Sequence, residues 1–262
     1  MKVQLGGVPE TLLWTLYHRA VEARRPDAVL DDPKAVALVD AIDYPFAERF
    51  GSGEGGLSQW QALRVRRFDA EVRRFLAANP DGTVVALGEG LETQFWRVDN
   101  GRVRWVTVDL PEAIAVRERL LPRGDRQSVV AASALDEAWM DDVDASRGVL
   151  ITAQGLLMYF EFGDVEKLLA ACAERFRGSA IVFDAVPRWL SEASRKGKLG
   201  KPDGYKPPPW KWGIDREKRG RLRARELRLP RGRGPFFGLL APLAAAVPPL
   251  RRLFFTILLK RF

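Results

Sequence analysis

Thr83-Val84-Val85-Ala86-Leu87-Gly88-Glu89-Gly90-Leu91-Glu92-Thr93 reads as a short buried strand that runs into a glycine turn and then a helix. Gly88 and Gly90 can take backbone angles that other residues avoid, and they let a ligand come close to the main chain. A helix that opens just past the turn points its free N–H groups into the same space. Asp109 follows Gly88 by 21 residues, at the end of a second apolar run, Val103-Arg104-Trp105-Val106-Thr107-Val108. A carboxylate about 20 residues past a glycine turn, at the tip of the next strand, is placed to accept hydrogen bonds from a ribose. The pair marks a nucleoside-cofactor site.

The turn also discriminates between cofactors. A dinucleotide fingerprint wants a third glycine where the helix packs on the strand, and Thr93 stands there. Glu89 and Glu92 would repel a pyrophosphate. S-adenosyl-L-methionine carries a sulfonium and no phosphate, and it tolerates that acidity. A nicotinamide dehydrogenase is disfavoured on the same grounds.

Outward from the turn, strand-like and helix-like segments alternate. The apolar runs are Val84–Leu87, Val103–Val108, Val129–Ala132, Val149–Thr152 and Ala180–Phe183, with helical stretches at about 91–98, 111–121 and 163–176 between them. This alternation predicts an α/β fold: a Rossmann-like, mostly parallel sheet with helices on both faces. Leu110-Pro111-Glu112 opens a helix with Pro at its first turn and an acid near its N-terminus. Gly88, Asp109, Ser133, Gln154 and Asp184 stand at or just past the C-terminal ends of the five strands, the edge where ligands bind in such sheets.

Before the turn, residues 10–25 read as a helix holding His18, the one histidine, beside Arg19. Asp31-Asp32-Pro33 caps a second helix, Gly51–Gly56 is a flexible connector, and Leu57–Ala78 is a long amphipathic helix containing Arg64. By spacing alone Arg64 belongs to a solvated charge run. One histidine and one cysteine, Cys172, exclude a zinc site, and the lone cysteine reads as a small buried hydrophobe. Met1-Lys2-Val3-Gln4-Leu5 lacks the apolar run of a signal peptide, so the expected compartment is cytoplasmic.

Charge is segregated. Residues 1–187 hold 22 Lys+Arg against 29 Asp+Glu, and residues 188–262 hold 20 against 5, so formal charges of −7 and +15 make up the net +8. The expected division is a helical cap over 1–80, a cofactor-binding core over 81–190, and a basic C-terminal extension over 191–262 that completes the sheet. Residues 188–233 read as a partly ordered surface loop with packed Trp189, Trp210 and Trp212. The uncharged run 235–250 is broken by Pro242 and Pro248-Pro249 and is too short to span a bilayer. This tail can dock on the domain, lie on an anionic membrane or meet a protein partner.

Several segments resemble a class I S-adenosylmethionine-dependent methyltransferase, and more narrowly the leucine carboxyl methyltransferase family in its bacterial, polyketide O-methylating branch. The resemblance rests on Asp32-Pro33, Ala62–Asp69, Val85–Phe95, Val108–Glu112 and Gln154–Tyr159, and covers roughly residues 10–190. It implies that Arg64 binds the cofactor carboxylate, a planar bidentate match. It further implies that Gly88 and Gly90 pass the cofactor's main axis, that Asp109 holds the ribose, and that Ser133-Ala134-Leu135 lie along the adenine. Arg19 and Tyr159 would contact cofactor or substrate. Ser133 replaces the family's usual acidic residue at the adenine amino group. Gln154 replaces its usual Glu beside the cofactor's amino end, which removes a charge worth up to about tenfold in affinity.

The implied reaction is methyl transfer to a small-molecule carboxylate, which is ionised at neutral pH and needs no general base. A hydroxyl acceptor would want one, and His18 is the candidate. Two rival readings remain: a nucleic-acid methyltransferase that grips its substrate with the basic, Trp-containing tail, and a non-catalytic binding protein on a methyltransferase fold. Oligomeric state has no signature in the sequence.

Overall fold

The computed structural model describes residues 8–53, 56–199, 205–247, 250 and 254–262. Met1–Leu5, part of the Gly51–Gly56 connector, Pro248-Pro249 and Arg251-Arg252 lie outside them. Four helices come first: α1 (Val8–Ala23), α2 (Pro33–Ala41), α3 (Phe46–Phe50) and α4 (Gly56–Ala78). Then β1 (Thr83–Leu87), α5 (Gln94–Val98), β2 (Arg104–Asp109), α6 (Pro111–Leu120), β3 (Gln127–Ala131), β4 (Val149–Ala153), α7 (Phe162–Arg175) and β5 (Ala180–Ala185) alternate. The chain closes with α8 (Arg188–Arg195), α9 (Arg216–Leu222), β6 (Arg225–Leu227), a wide helical turn Phe236–Leu240 leading into α10 (Ala241–Ala246), and β7 (Thr256–Arg261).

The strands form one seven-stranded sheet in the order β3-β2-β1-β4-β5-β7-β6. β1 to β5 are parallel; β7 runs antiparallel between β5 and β6. Helices cover both faces, and the period of two along each strand assigns residues to them. Val85, Leu87, Val106, Val108, Ile151 and Phe183 share a core cluster with Leu168, Leu169 and Cys172 of α7. Val84, Ala86, Trp105, Leu150 and Val182 share another with Phe68, Val72 and Leu76 of α4. β1 and β4 are buried at every position, as parallel strands covered on both sides must be. Burial pushes the Cys172 thiol up to about 12, so it acts as a small apolar side chain.

β1 pairs with β2 on one side and β4 on the other, so strand order reverses at its C-terminal end. A crevice opens where successive crossovers leave in opposite directions. The first three helices pack over that edge around Leu13, Leu16, Tyr17, Leu38, Phe46 and Phe50. Asp32 caps α2 by accepting from the Ala35 N–H at 3.1 Å, with Pro33 at the first helical position.

Residues 188–233 depart from the expected surface loop by holding α8, α9 and β6, and the tail beyond them supplies β7, which joins the sheet between β5 and β6. Trp212 is buried and donates from Nε1 to the Leu157 carbonyl at 2.8 Å, while Trp210 lines an internal cavity. Trp212 is thereby committed to the interior, and Trp210 is half-buried at the cavity wall. No helix among the described residues is long and apolar enough to cross a membrane.

Candidate cofactor and substrate site

The glycine turn is tied down through its main chain. The Gly88 N–H donates to the Val108 carbonyl at 2.8 Å, and the Gly90 N–H to Asp109 Oδ2 at 2.7 Å. Arg117 Nη1 donates to the Gly90 and Glu92 carbonyls at 2.7 and 2.8 Å, and Arg19 Nη2 to the Leu91 carbonyl at 2.8 Å. Gly88 and Gly90 sit at φ +60° and +53°. A Cβ on Gly88 would fall 2.7 Å from Leu156 Cδ1, and one on Gly90 2.2 Å from Leu12 Cδ2. Backbone angle and space both require glycine at the two positions.

Two adjoining cavities lie at this sheet edge, the smaller of them over the turn. The smaller, about 70 Å³, is lined by Arg19, Gly88, Glu89, Glu92, Gln94 and Gln154 among others. The larger, about 360 Å³, is lined chiefly by Trp14, Phe50, Trp60, Met158, Tyr159, Tyr205, Trp210 and Phe255. Thr11, Thr15, Arg64 and Gly155 line both and form the passage between them.

A buried charge network backs the smaller chamber and reaches its wall through Arg19 and Glu92. Arg97 donates to Asp32, Asp69 and Glu92 at 2.7–3.2 Å, and Arg19 lies 3.1 Å from Glu92 and 3.5 Å from Asp32. Two guanidiniums face three carboxylates, leaving one formal negative charge in excess beside the chamber. Burial alone would raise Glu92, but Arg19 and Arg97 override it and hold the carboxyl down to about 2. Glu89 is raised by burial, opposed by Arg117 and by donation from Thr107 and Trp105.

Arg64 was assigned to a solvated run by spacing alone; tertiary packing buries it. Its Nη1 donates to Asp184 Oδ2 at 2.8 Å, and Asp184 Oδ1 accepts from the Gly155 N–H at 2.7 Å. Asp184, at the end of β5 and fully buried, thus holds both the guanidinium and the loop of the passage. Gln154 Nε2 donates to Glu92 Oε2 at 3.2 Å, and its Oε1 is buried without a partner. A Glu in its place would face Glu92 as a second carboxylate, so the amide fits the charge already present.

Asp109 stands at the β2 tip with Oδ1 accepting from the Leu110 N–H at 2.8 Å, and burial raises its carboxyl. The Ala132 N–H donates to the Asp109 carbonyl at 2.9 Å, which brings Ser133-Ala134-Leu135 alongside. Ser133 Oγ accepts from the Leu135 N–H at 3.2 Å, and Trp139 Nε1 pins the Ala134 carbonyl at 3.1 Å. One sheet edge therefore carries Arg64, Gly88 and Gln154 on the β1–β4 side and Asp109 and Ser133–Leu135 on the β2–β3 side.

Tyr159 lines the larger cavity, whereas Arg19 lines only the smaller one. His18 lines neither. It is buried between Trp14 and Tyr17, with Nδ1 2.8 Å from Ser58 Oγ. Ser58 gives its own proton to the Gly53 carbonyl at 2.7 Å, so Nδ1–H is the donor and Nε2 stays bare. Burial pushes the imidazole down to about 4. Position 18 shares the helix face of Thr11 and Thr15 but lies further along α1, where its ring packs against Trp14 and Tyr17 and bonds Ser58 of α4, so the expectation of an acceptor-side base there is corrected. Reading along the sequence also missed Thr11, Thr15, Arg97, Arg117 and the cavity wall made by Tyr205, Trp210 and Phe255. Asp184 alone among the missed polar residues carried a sign, its place at the strand-end edge.

The residues fit S-adenosylmethionine: an acidic chamber without a phosphate cradle, a bare Gln154 oxygen, Arg64 at the passage and a carboxylate at the next strand tip. Fold and site together define an S-adenosylmethionine-dependent methyltransferase. The profile of the leucine carboxyl methyltransferase family matches residues 13–173, and the chain belongs to that family. Its relatives include the tetracenomycin polyketide synthesis O-methyltransferase TcmP of Streptomyces glaucescens, 35% identical over 229 residues, 87% of this chain and 81% of that protein. The S-adenosyl-L-methionine-dependent methyltransferase dpfgK of Gibberella zeae is 30% identical over 195 residues, 69% of this chain and 65% of that one. Among solved structures, a DUF574 family protein of Streptomyces avermitilis superposes with a TM-score of 0.56 at 13% identity, covering 94% and 96% of the two chains, which speaks to the fold alone.

Proposed function

We propose that this methyltransferase methylates an oxygen, specifically a carboxylate, of a flat and largely apolar small molecule seated in the larger cavity. The observation that carries the reading is the cavity's chemistry. Its ionisable lining consists of Arg49, Arg64, Tyr159 and Tyr205, with no carboxylate and no imidazole among the described residues. Tyr159 and Tyr205 are raised by burial, Tyr205 beyond the ordinary phenol range, so neither takes a proton at neutral pH. An acceptor in this space must arrive already ionised, and a carboxylic acid does so well below pH 7. The stacked and edge-on Trp14, Phe50 and Tyr205 rings suit a flat apolar body. TcmP, named for polyketide O-methylation, supports an acceptor of the same general kind.

When bound, the cofactor supplies a methyl group made electrophilic by its sulfonium. In this reading Arg64, held by Asp184, meets the cofactor carboxylate, Asp109 the ribose hydroxyls, and Ser133–Leu135 the adenine. Gln154 Oε1 and the surplus negative charge at Glu92 receive the ammonium. The chain's remaining task is alignment and exclusion of water, which can supply several kcal/mol. The test is methyl transfer from radiolabelled S-adenosylmethionine to paired aromatic acids and phenols of equal ring size. Acids should react at a rate flat from pH 6 to 9. Transfer to phenols alone, rising with pH, would overturn the carboxylate assignment.

A further inference from the structure

The helical segment 236–246 wears its apolar side outward. Phe236, Leu239, Leu240, Leu243 and Val247, with Leu250 beyond, are between 44 and 56% exposed. Within the helix Phe236, Leu239 or Leu240, and Leu243 recur at spacings of three or four, which puts them on a single stripe, and Val247 follows it in extended backbone. The half-buried residues between them, Phe237, Ala241, Ala244 and Ala245, turn to the protein. A short uncharged helix that bares its large apolar residues while its small ones are half-buried is the reverse of a helix stabilised by the core.

The surroundings say what covers it. The stripe belongs to the segment with a formal charge of +15, while the rest of the chain carries −7. The Gly232 N–H donates to the Phe237 carbonyl at 3.1 Å, which sets Arg231 beside the helix start. Arg228 and Arg231 are exposed and make no ion pair among the described residues, whereas Arg233 between them and the helix is committed to Glu22 and Asp27. A second copy of the chain would bring two such cationic segments together and is disfavoured. An apolar stripe with the exposed Arg231 at its start, on a strongly cationic segment, matches an anionic bilayer surface.

We propose that this face docks the protein on anionic membranes, with Phe236, Leu239, Leu240 and Leu243 in the headgroup region and Arg228 and Arg231 on lipid phosphates. The helix lies on the bilayer; it is too short to span it. Gly56 lies against Phe237, on the inward side of the helical segment, and its neighbour Leu57 is an exposed residue that lines the larger cavity. Docking would turn that side of the cavity to the lipid. The docking does not depend on the acceptor reading.

The test is flotation of the full-length protein with vesicles of phosphatidylcholine alone and of phosphatidylcholine and phosphatidylglycerol in equal parts, at low and high salt. Binding is expected to the anionic vesicles only and to weaken with salt. A Leu240→Glu/Leu243→Glu variant should lose it by about tenfold or more, and Arg228→Glu/Arg231→Glu should lower it and flatten the salt dependence. Both keep the wild-type melting temperature and S-adenosylhomocysteine affinity, since all four side chains are exposed. Absence of flotation, equal flotation on both vesicle types, or light scattering that shows a dimer broken by the leucine variant would each overturn the proposal, the last assigning the face to a second copy.

Discussion

The two adjoining cavities are built by opposite means. The smaller is lined by ionised groups, Arg19, Glu89 and Glu92, whose ion pairs are completed behind the wall by Arg97, Asp32, Asp69 and Arg117. The larger is walled by rings and carries almost no charge beyond Arg49 and Arg64. A buried network has one geometry in which all members are satisfied, and it holds a ligand of constant shape and charge. An aromatic wall constrains outline more than chemistry, and it can be remodelled without an unpaired charge being left behind. Methyltransferases with a common cofactor and varied acceptors would be expected to divide their sites this way.

Breaking the network tests the comparison most severely. Arg97→Met leaves Asp32, Asp69 and Glu92 facing Arg19 alone and should cost about 3–5 kcal/mol in urea unfolding. A loss under about 1 kcal/mol would mean that water replaces the guanidinium and the wall is not dry. His18 gives the next largest effect. The folded imidazole lies at about 4, well under the ordinary value near 6.5. The unfolded chain therefore takes the proton first, so stability is full above about 6.5 and is lost as pH falls towards 4, by roughly 3 kcal/mol. His18→Gln should remove that component from the pH dependence of unfolding while sparing turnover. A large fall in turnover would restore the histidine to the chemistry.

Asp109→Ala should weaken S-adenosylhomocysteine by about tenfold to a hundredfold in calorimetric titration, with little change in acceptor KM. Gln154→Glu sharpens the contrast further. Without ligand it should cost about 1 kcal/mol, because it sets a second carboxylate against Glu92. The rise in melting temperature on adding S-adenosylhomocysteine should then be larger than in wild type, since the ligand ammonium relieves the repulsion; an unchanged rise would move the ammonium elsewhere. The smallest effect on the cofactor side belongs to Met158→Trp. It narrows the larger cavity and should raise acceptor KM several-fold with cofactor affinity untouched. A parallel loss of cofactor affinity would show that the cavities are not separable.

Much of this was legible along the chain. The strand-turn-strand around Gly88 and Asp109, the cap at Asp32 and the proline start of α6 are local features, and local features follow from backbone angles and hydrogen-bond accounting within a few residues. The alternation of apolar runs with helical stretches announced a mostly parallel sheet before any strand pairing was known. The residues that unite the site are another matter. Arg64 and Asp184 are 120 positions apart, and nothing in the spacing of α4 separates a solvated arginine from a buried one. Tyr205, Trp210 and Phe255 close a cavity begun by Trp14 and Trp60, from a segment whose composition reads as loop.

Sequence by itself determined the sheet, its turn and the cofactor class, because each rests on contacts within or between neighbouring elements. Tertiary structure decided which charges are buried, which histidine nitrogen is bare, where the C-terminal strand inserts and which apolar helix is left facing outward. Those outcomes depend on which distant surfaces meet, and burial converts an ordinary arginine or imidazole into a constrained one only after they have met.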